Sequence, residues 1–278
     1  MSRRRSRTQR PNYAAGLAAF VWLLIIGVPL IALLSSALQT QTSYNQSGPL
    51  SAPTHLTFSN VTAVVQSGFL GYIWNTILVS AATVALVLLL TVPISFAVVR
   101  GRGFLSRGVF RVFLLGLAIP AQAVIIPLFL IINQLGLYDT LWGVILPTAA
   151  FSMPVSVLVI SGGMREISPE LYEAMALDGA RPRKVLLDLV VPLSRSSIST
   201  AGVFAALQAW NGFLFPLIMT QSNSTKVATL GLYTFVSTYS ADVPALLAAV
   251  LLSAVPILVV YLFARRALVA GLMGAGGK

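Results

Sequence analysis

The chain has 278 residues, of which 57% are apolar and only 9% charged, too little polar surface to cover a water-soluble globule. It has no cysteine, which excludes disulfides, thiolate metal sites and cysteine nucleophiles. A formal charge of +11 does not point to nucleic acid, because the basic residues sit beside apolar spans and not in an aromatic-interleaved patch.

A basic tail, residues 1–13, precedes an apolar stretch at 14–38. At 1.5 Å per residue this is long enough to cross a hydrocarbon core of ~30 Å. It is too long for the apolar core of a cleavable signal, and Ser35-Ser36-Ala37 is a poor cleavage site, so a retained first transmembrane helix is expected. Residues 39–69 are rich in Gln, Ser, Thr, Asn, Gly and Pro, contain no charged residue, and read as an external loop. Its single histidine, His55, has no Asp, Glu or Cys nearby and is assigned no role. The second span runs from Gly71 to Val99 and ends in Arg100-Gly101-Arg102-Gly103. The third covers Val109 to Ile132 with Pro120 and Pro127 inside; a short external turn at 133–140 leads to the fourth, Leu141 to Ser161, with Pro147 and Pro154. Prolines within spans free backbone carbonyls that lipid cannot satisfy, so packed neighbours or a water-filled cavity must. A polar loop, 165–194, separates the fourth span from the fifth, Ser197–Met219. An external segment to Asp242, a sixth span at Val243–Ala264 and a tail at 267–278 complete the chain.

The predicted fold is therefore all-α, with six transmembrane helices and both termini on one side. Of the 18 basic residues, 17 fall on that side and Lys226 alone on the other, which by the positive-inside rule makes it the cytoplasm.

The loop from Arg165 to Ser194 holds five of the seven acidic residues and must lie in water. Ser168 stands where an N-cap belongs, Pro169 where a first helical residue lacks nothing by having no N–H, and Glu170 near the positive end of the dipole. Good helix formers follow to Asp178, with Leu171, Ala174 and Met175 expected on one face; Gly179 then sits where a C-terminal cap wants positive φ. A second helix is expected from Pro182, with Val185, Leu186, Leu189 and Leu193 at helical spacing.

Glu173-Ala174-Met175, three residues, Gly179, nine residues, then Leu189-Val190-Val191-Pro192 resembles the E-A-A-x3-G-x9-I-x-L-P signature of the membrane subunits of binding-protein-dependent ABC importers. Met175, Leu189 and Val191 depart from it but remain apolar. Ala209-Trp210-Asn211-Gly212 with the residues after it is similar to carbohydrate permeases of the maltose-transporter type, and the likeness covers about residues 70–266. The resemblance implies a type I ABC importer permease fold, with a cytoplasmic coupling helix between helices 4 and 5, in the cell membrane. It implies as partners a second, similar permease, two ATP-binding subunits, an external solute-binding protein, membrane lipid and a sugar substrate. Glu173, Ala174, Met175, Asp178 and Gly179 are carried over as the ATPase-subunit interface. Trp210 and Asn211 are pathway candidates, although a membrane asparagine also glues helices together.

No catalytic residue, metal or cofactor is expected. The tail ending Gly276-Gly277-Lys278 fails as a phosphate-cradling loop, because Leu272 stands where its first glycine belongs and neither Ser nor Thr follows. Energy for transport would then come from a partner. The six spans contain no Asp, Glu, His or Lys, which argues against a proton symporter, whereas a sodium site built from carbonyls and hydroxyls stays open. So do an importer of a non-sugar solute and a membrane scaffold that moves nothing.

Overall fold

The computed structural model describes residues 13–49, 51, 56–101, 103–236 and 241–275, with backbone alone for 261 and 263–275. His55 lies outside the described residues. The chain divides into two compact units, Met1–Gln66 with Phe235–Leu251, and Ser67–Thr234 with Leu252–Lys278. Among the described residues the elements are helical, apart from an isolated bridge between Val236 and Ala241.

In the first unit α1 (Tyr13–Ala37) is long and apolar enough to span and is mostly exposed until Ser36 and Ala37, which are buried at its end. The stretch expected as an external loop carries two short helices, α2 (Gln41–Ser47) and α3 (Ser59–Gln66). Local chemistry explains why. The Thr40 hydroxyl accepts from the Ser43 N–H and caps α2. Asn60 Nδ2 donates to the carbonyls of Ala37 and Gln39, at 2.8 and 2.7 Å, closing the end of α1. Gln41 Nε2 donates to the Ala241 carbonyl at 3.2 Å.

The second unit is built around α4 (Phe69–Arg100), α7 (Leu141–Arg165) and α11 (Arg195–Trp210), which pack on one another. Val87, Ala149 and Ala205 are buried where they meet. A Cβ built on Gly163 would lie 2.6 Å from the Ser197 Cβ, so α7 approaches α11 closely at a residue with no side chain. Among the buried hydroxyls on these helices, Ser80, Thr83 and Ser161 have no hydrogen-bond partner among the described residues, whereas Thr91, Thr148, Ser152 and Ser156 each donate to the carbonyl four residues back, at 2.7–2.8 Å. These four thereby enter an apolar core without an unpaired donor.

Two spans expected as single helices are broken. The third is α5 (Phe104–Gly116), a 3₁₀ turn at Ala121–Val124 and α6 (Ile125–Gln134), with a 96° bend between the halves. Pro120, with no N–H to donate, sits extended at the break (φ −71°, ψ 132°). The fifth stops at Trp210 and resumes as α12 (Leu214–Met219). Four helices among the described residues can span unbroken, and up to six spans result if two bent pairs each count as one: Phe104–Gly116 with Ala121–Gln134, and Pro182–Leu193 with Arg195–Trp210 across a 79° bend. The last, α14 (Val243–Ala275), carries helix well into the segment expected as a tail.

Connecting segments of this unit are tied down by side chains. Asn75 Nδ2 donates to the carbonyls of Ser224 and Lys226, both at 2.8 Å, and Thr76 Oγ1 accepts from the Ala228 N–H at 2.8 Å, at the start of the short α13 (Ala228–Gly231). Asp139, in left-handed backbone (φ 56°), accepts at Oδ1 from the N–H groups of Gln221 and Ser222 and from the Thr225 hydroxyl, at 2.8, 3.0 and 2.6 Å. The Gln221 N–H, then the Thr225 hydroxyl and Ser222 N–H, hold this carboxyl far below the usual carboxylate range. A depressed folded-state pKa gives stability that is full above the unfolded value and lost only as pH falls through the folded one. The clamp should therefore be unchanged between about pH 7 and about pH 5, where Asp139 stays ionised in both states. Hydrogen exchange, corrected for its intrinsic pH dependence, should show constant protection at Gln221 and Ser222 over that range and lose it in Asp139→Ala. Protection that fades in the wild type by pH 5 would contradict the clamp.

Candidate functional site

The polar loop begins where α7 ends. Ser168 occupies the N-cap position of α8 (Pro169–Leu177), yet its hydroxyl makes no cap bond and turns to the Glu170 carboxylate. This hydrogen bond, ahead of the Glu170 N–H, lowers the Glu170 pKa from its ordinary value. The face that α8 turns toward its own chain is not the one carrying Leu171, Ala174 and Met175. Leu171 and Ala174 are exposed, Met175 is half-buried, and the inward residue is Tyr172, 5% exposed. The reason lies in the neighbours. The Arg100 guanidinium, at the end of α4, sits 4.3 Å from the centre of the Tyr172 ring, and the Tyr172 hydroxyl donates to the Met164 carbonyl at 3.5 Å. Burial raises the phenol pKa, with Arg100 opposing the shift.

Gly179 does what its place in the sequence predicts: its φ is +67°. The Gly179 N–H donates to the Ala176 carbonyl at 3.0 Å and the Ala180 N–H to the Met175 carbonyl at 2.9 Å, a Schellman closure. The chain then re-enters helix as α9 (Pro182–Lys184), a π-helical turn at Val185–Val190 and α10 (Val191–Leu193). Val190 is buried, and Val185, Leu186 and Leu189 pack with Ile160, Met164, Ile167 and Tyr172. Leu193, expected in that series, is 54% exposed.

The loop is thus held from behind and open in front. Glu173, Ala174, Asp178 and Gly179 are all exposed, and beside them Leu177 is 89% exposed, an extreme value for leucine in a segment that must lie in water. Tyr172, Arg100 and Leu177 were not singled out from sequence. Tyr172 is the only aromatic residue of the loop, which was the available signal. Trp210 and Asn211 lie elsewhere, at the break in the fifth span. Asn211 caps α11, its Nδ2 donating to the Leu207 carbonyl at 3.0 Å, and it is exposed; Trp210 is half-buried. Among the described residues no cluster of three His, Cys, Asp or Glu could hold a metal.

Residues 89–269 match the family model described as the binding-protein-dependent transport system inner membrane component. The chain belongs to this family. It is 31% identical to an ABC transporter permease protein of a Caldicellulosiruptor species over 93% of its own length and 94% of the relative's. To the permease protein of the diacetylchitobiose uptake system of Streptomyces coelicolor it is 30% identical, covering 92% of itself and 85% of that protein. Its fold is that of a chain in the crystal structure of a bacterial ABC transporter that imports the acidic polysaccharide alginate, with a TM-score of 0.79 over 95% of this permease and 99% of that chain at 19% identity. The all-α permease fold expected from sequence is the fold found.

Proposed function

We propose that this permease forms half of a membrane pathway for a sugar or oligosaccharide, and that the loop 165–194 couples it to ATP hydrolysis by a separate subunit. Relatives named for uptake of diacetylchitobiose, arabinooligosaccharides and trehalose support the substrate class. A related importer bound to its oligosaccharide-loaded periplasmic protein supports an external delivery partner. A second permease and two ATP-binding subunits complete the assembly, with the loop and both termini on the cytoplasmic side as the charge asymmetry directs.

The observation that carries the coupling role is the exposed edge of α8, backed by packed side chains. Leu177 offers an apolar anchor with Glu173 and Asp178 beside it, the composition of a small docking surface with an apolar centre and charged rim. Tyr172 and the π-turn side chains join α8 to the ends of α4, α7 and α11. When the ATP-binding subunits close, a displacement of α8 passes to those three helices through packed contacts, and the pathway alternates between its two openings.

Leu177→Asp tests this directly, because the residue touches little of its own chain. Capture of the ATP-binding subunits by the tagged permease should weaken by on order of 30-fold or more, the effect of losing an interface anchor of about 2 kcal/mol. Expression and monodispersity should not change. Undiminished capture would remove α8 from the interface.

A further inference from the structure

Four arginines described at the cytoplasmic ends of α4, α5 and α7 have different fates. Arg100 stacks on Tyr172 and Arg165 on Phe110, at 4.3 and 4.9 Å from the ring centres. Arg107 and Arg111 are exposed, and among the described residues neither guanidinium has an ion pair, hydrogen bond or ring contact. They stand one turn apart on one face of α5, so their two forks can converge on one anion. Neither pairs with a carboxylate among the described residues, Glu166 at the C-terminal cap of α7 included. α4 and α7, the helices against α5, contain no Asp or Glu, and the first acidic residue in the whole chain is Asp139, at the outer end.

The surroundings of the pair are apolar. Phe104 is 83% exposed at the start of the helix and Leu115 67% exposed near its end. A strongly amphipathic helix with its arginines amid exposed apolar residues belongs at the boundary between headgroups and acyl chains, where the available anion is lipid phosphate. A bidentate guanidinium suits phosphate geometry in a way an ammonium does not.

We propose that the outward face of α5 binds an anionic phospholipid of the cytoplasmic leaflet, its phosphate between Arg107 and Arg111 and its acyl chains along Phe104 and Leu115. The inference rests on the membrane orientation of the permease and not on what it transports.

The experiment is native mass spectrometry of the purified full chain with dioleoylphosphatidylglycerol and dioleoylphosphatidylcholine, whose acyl chains are the same. Wild type should retain the anionic lipid about 30-fold better, from two arginines each contributing about fivefold near a membrane surface. Arg107→Gln/Arg111→Gln should bring the two lipids to within about twofold of each other, and each single variant should lose about fivefold. Both residues are exposed, so packing is not disturbed. Arg181→Gln/Arg183→Gln, an equal loss of charge in the polar loop, should leave the preference intact. The proposal is overturned if wild type retains both lipids equally, if the α5 double variant keeps its preference, or if the loop variant loses as much.

Discussion

A permease carrying Gly179→Val should accumulate to normal levels, insert normally, and lose at least about tenfold of its sugar uptake in the assembled importer. The argument is conformational. Gly179 has φ +67°, and no atom lies within 4 Å of where a Cβ would go, so a side chain meets no obstacle but the backbone is strained. Left-handed backbone costs an L-residue about 1–2 kcal/mol, more when it is β-branched. Relief of that strain rotates the turn, breaks the Ala180 to Met175 closure and swings Leu177 and Asp178 out of register with the docking partner. Asparagine tolerates this conformation, so Gly179→Asn should keep most of the uptake. If valine transports like wild type, or asparagine fails as badly as valine, the left-handed turn is not what coupling requires. Glu173→Lys approaches the same surface through charge alone: it should weaken capture of the ATP-binding subunits at low salt and leave the turn intact.

Gly179 was legible from sequence because its conformation is decided locally, by good helix formers ending at a glycine before Pro182. The buried face of α8 was not. In a helix of nine residues a shift of one position turns the apolar stripe by about 100°, and the choice between Leu171 and Tyr172 was made by Arg100, some seventy residues earlier in the chain. Hydropathy found the apolar segments because bilayer thickness sets their length. It could not find the breaks at Pro120 and Asn211, since an apolar run reads the same whether straight or bent by 96°. The two short helices within residues 39–69 were hidden for the opposite reason: the polarity there is that of a loop, while the helices depend on the Thr40 cap and on Asn60 bonding to carbonyls more than twenty residues away. Asp139 was placed in the outer turn, but its partners at 221–225 are remote in sequence and so were invisible to spacing.

Tyr172→Ala should uncouple the machine, leaving ATP hydrolysis by the assembled importer in place while uptake collapses. Removing a buried aromatic ring typically costs about 3–5 kcal/mol. Here the loss falls on the contact between α8 and the ends of α4 and α7, because the ring is 5% exposed between Arg100 and the Met164 carbonyl while the membrane core of the unit lies elsewhere. Under the coupling role proposed for α8, Leu177 and the docking edge survive, so the ATP-binding subunits should still bind while movement of α8 should no longer pass to the helices. Amide exchange over residues 169–177 should rise, and that over α4 and α11 should not. Tyr172→Phe keeps the ring beneath Arg100 and loses only a long hydrogen bond, so it should transport nearly as wild type. A double-mutant cycle between Arg100→Gln and Tyr172→Ala should return a coupling energy of about 0.5–2 kcal/mol, the range of a cation over an aromatic face. If Tyr172→Ala leaves both the exchange of α8 and the ratio of sugar moved to ATP hydrolysed unchanged, force reaches the membrane helices by another route, and the π-turn contacts of Val185, Leu186 and Leu189 with Ile160 and Met164 would be the path to test.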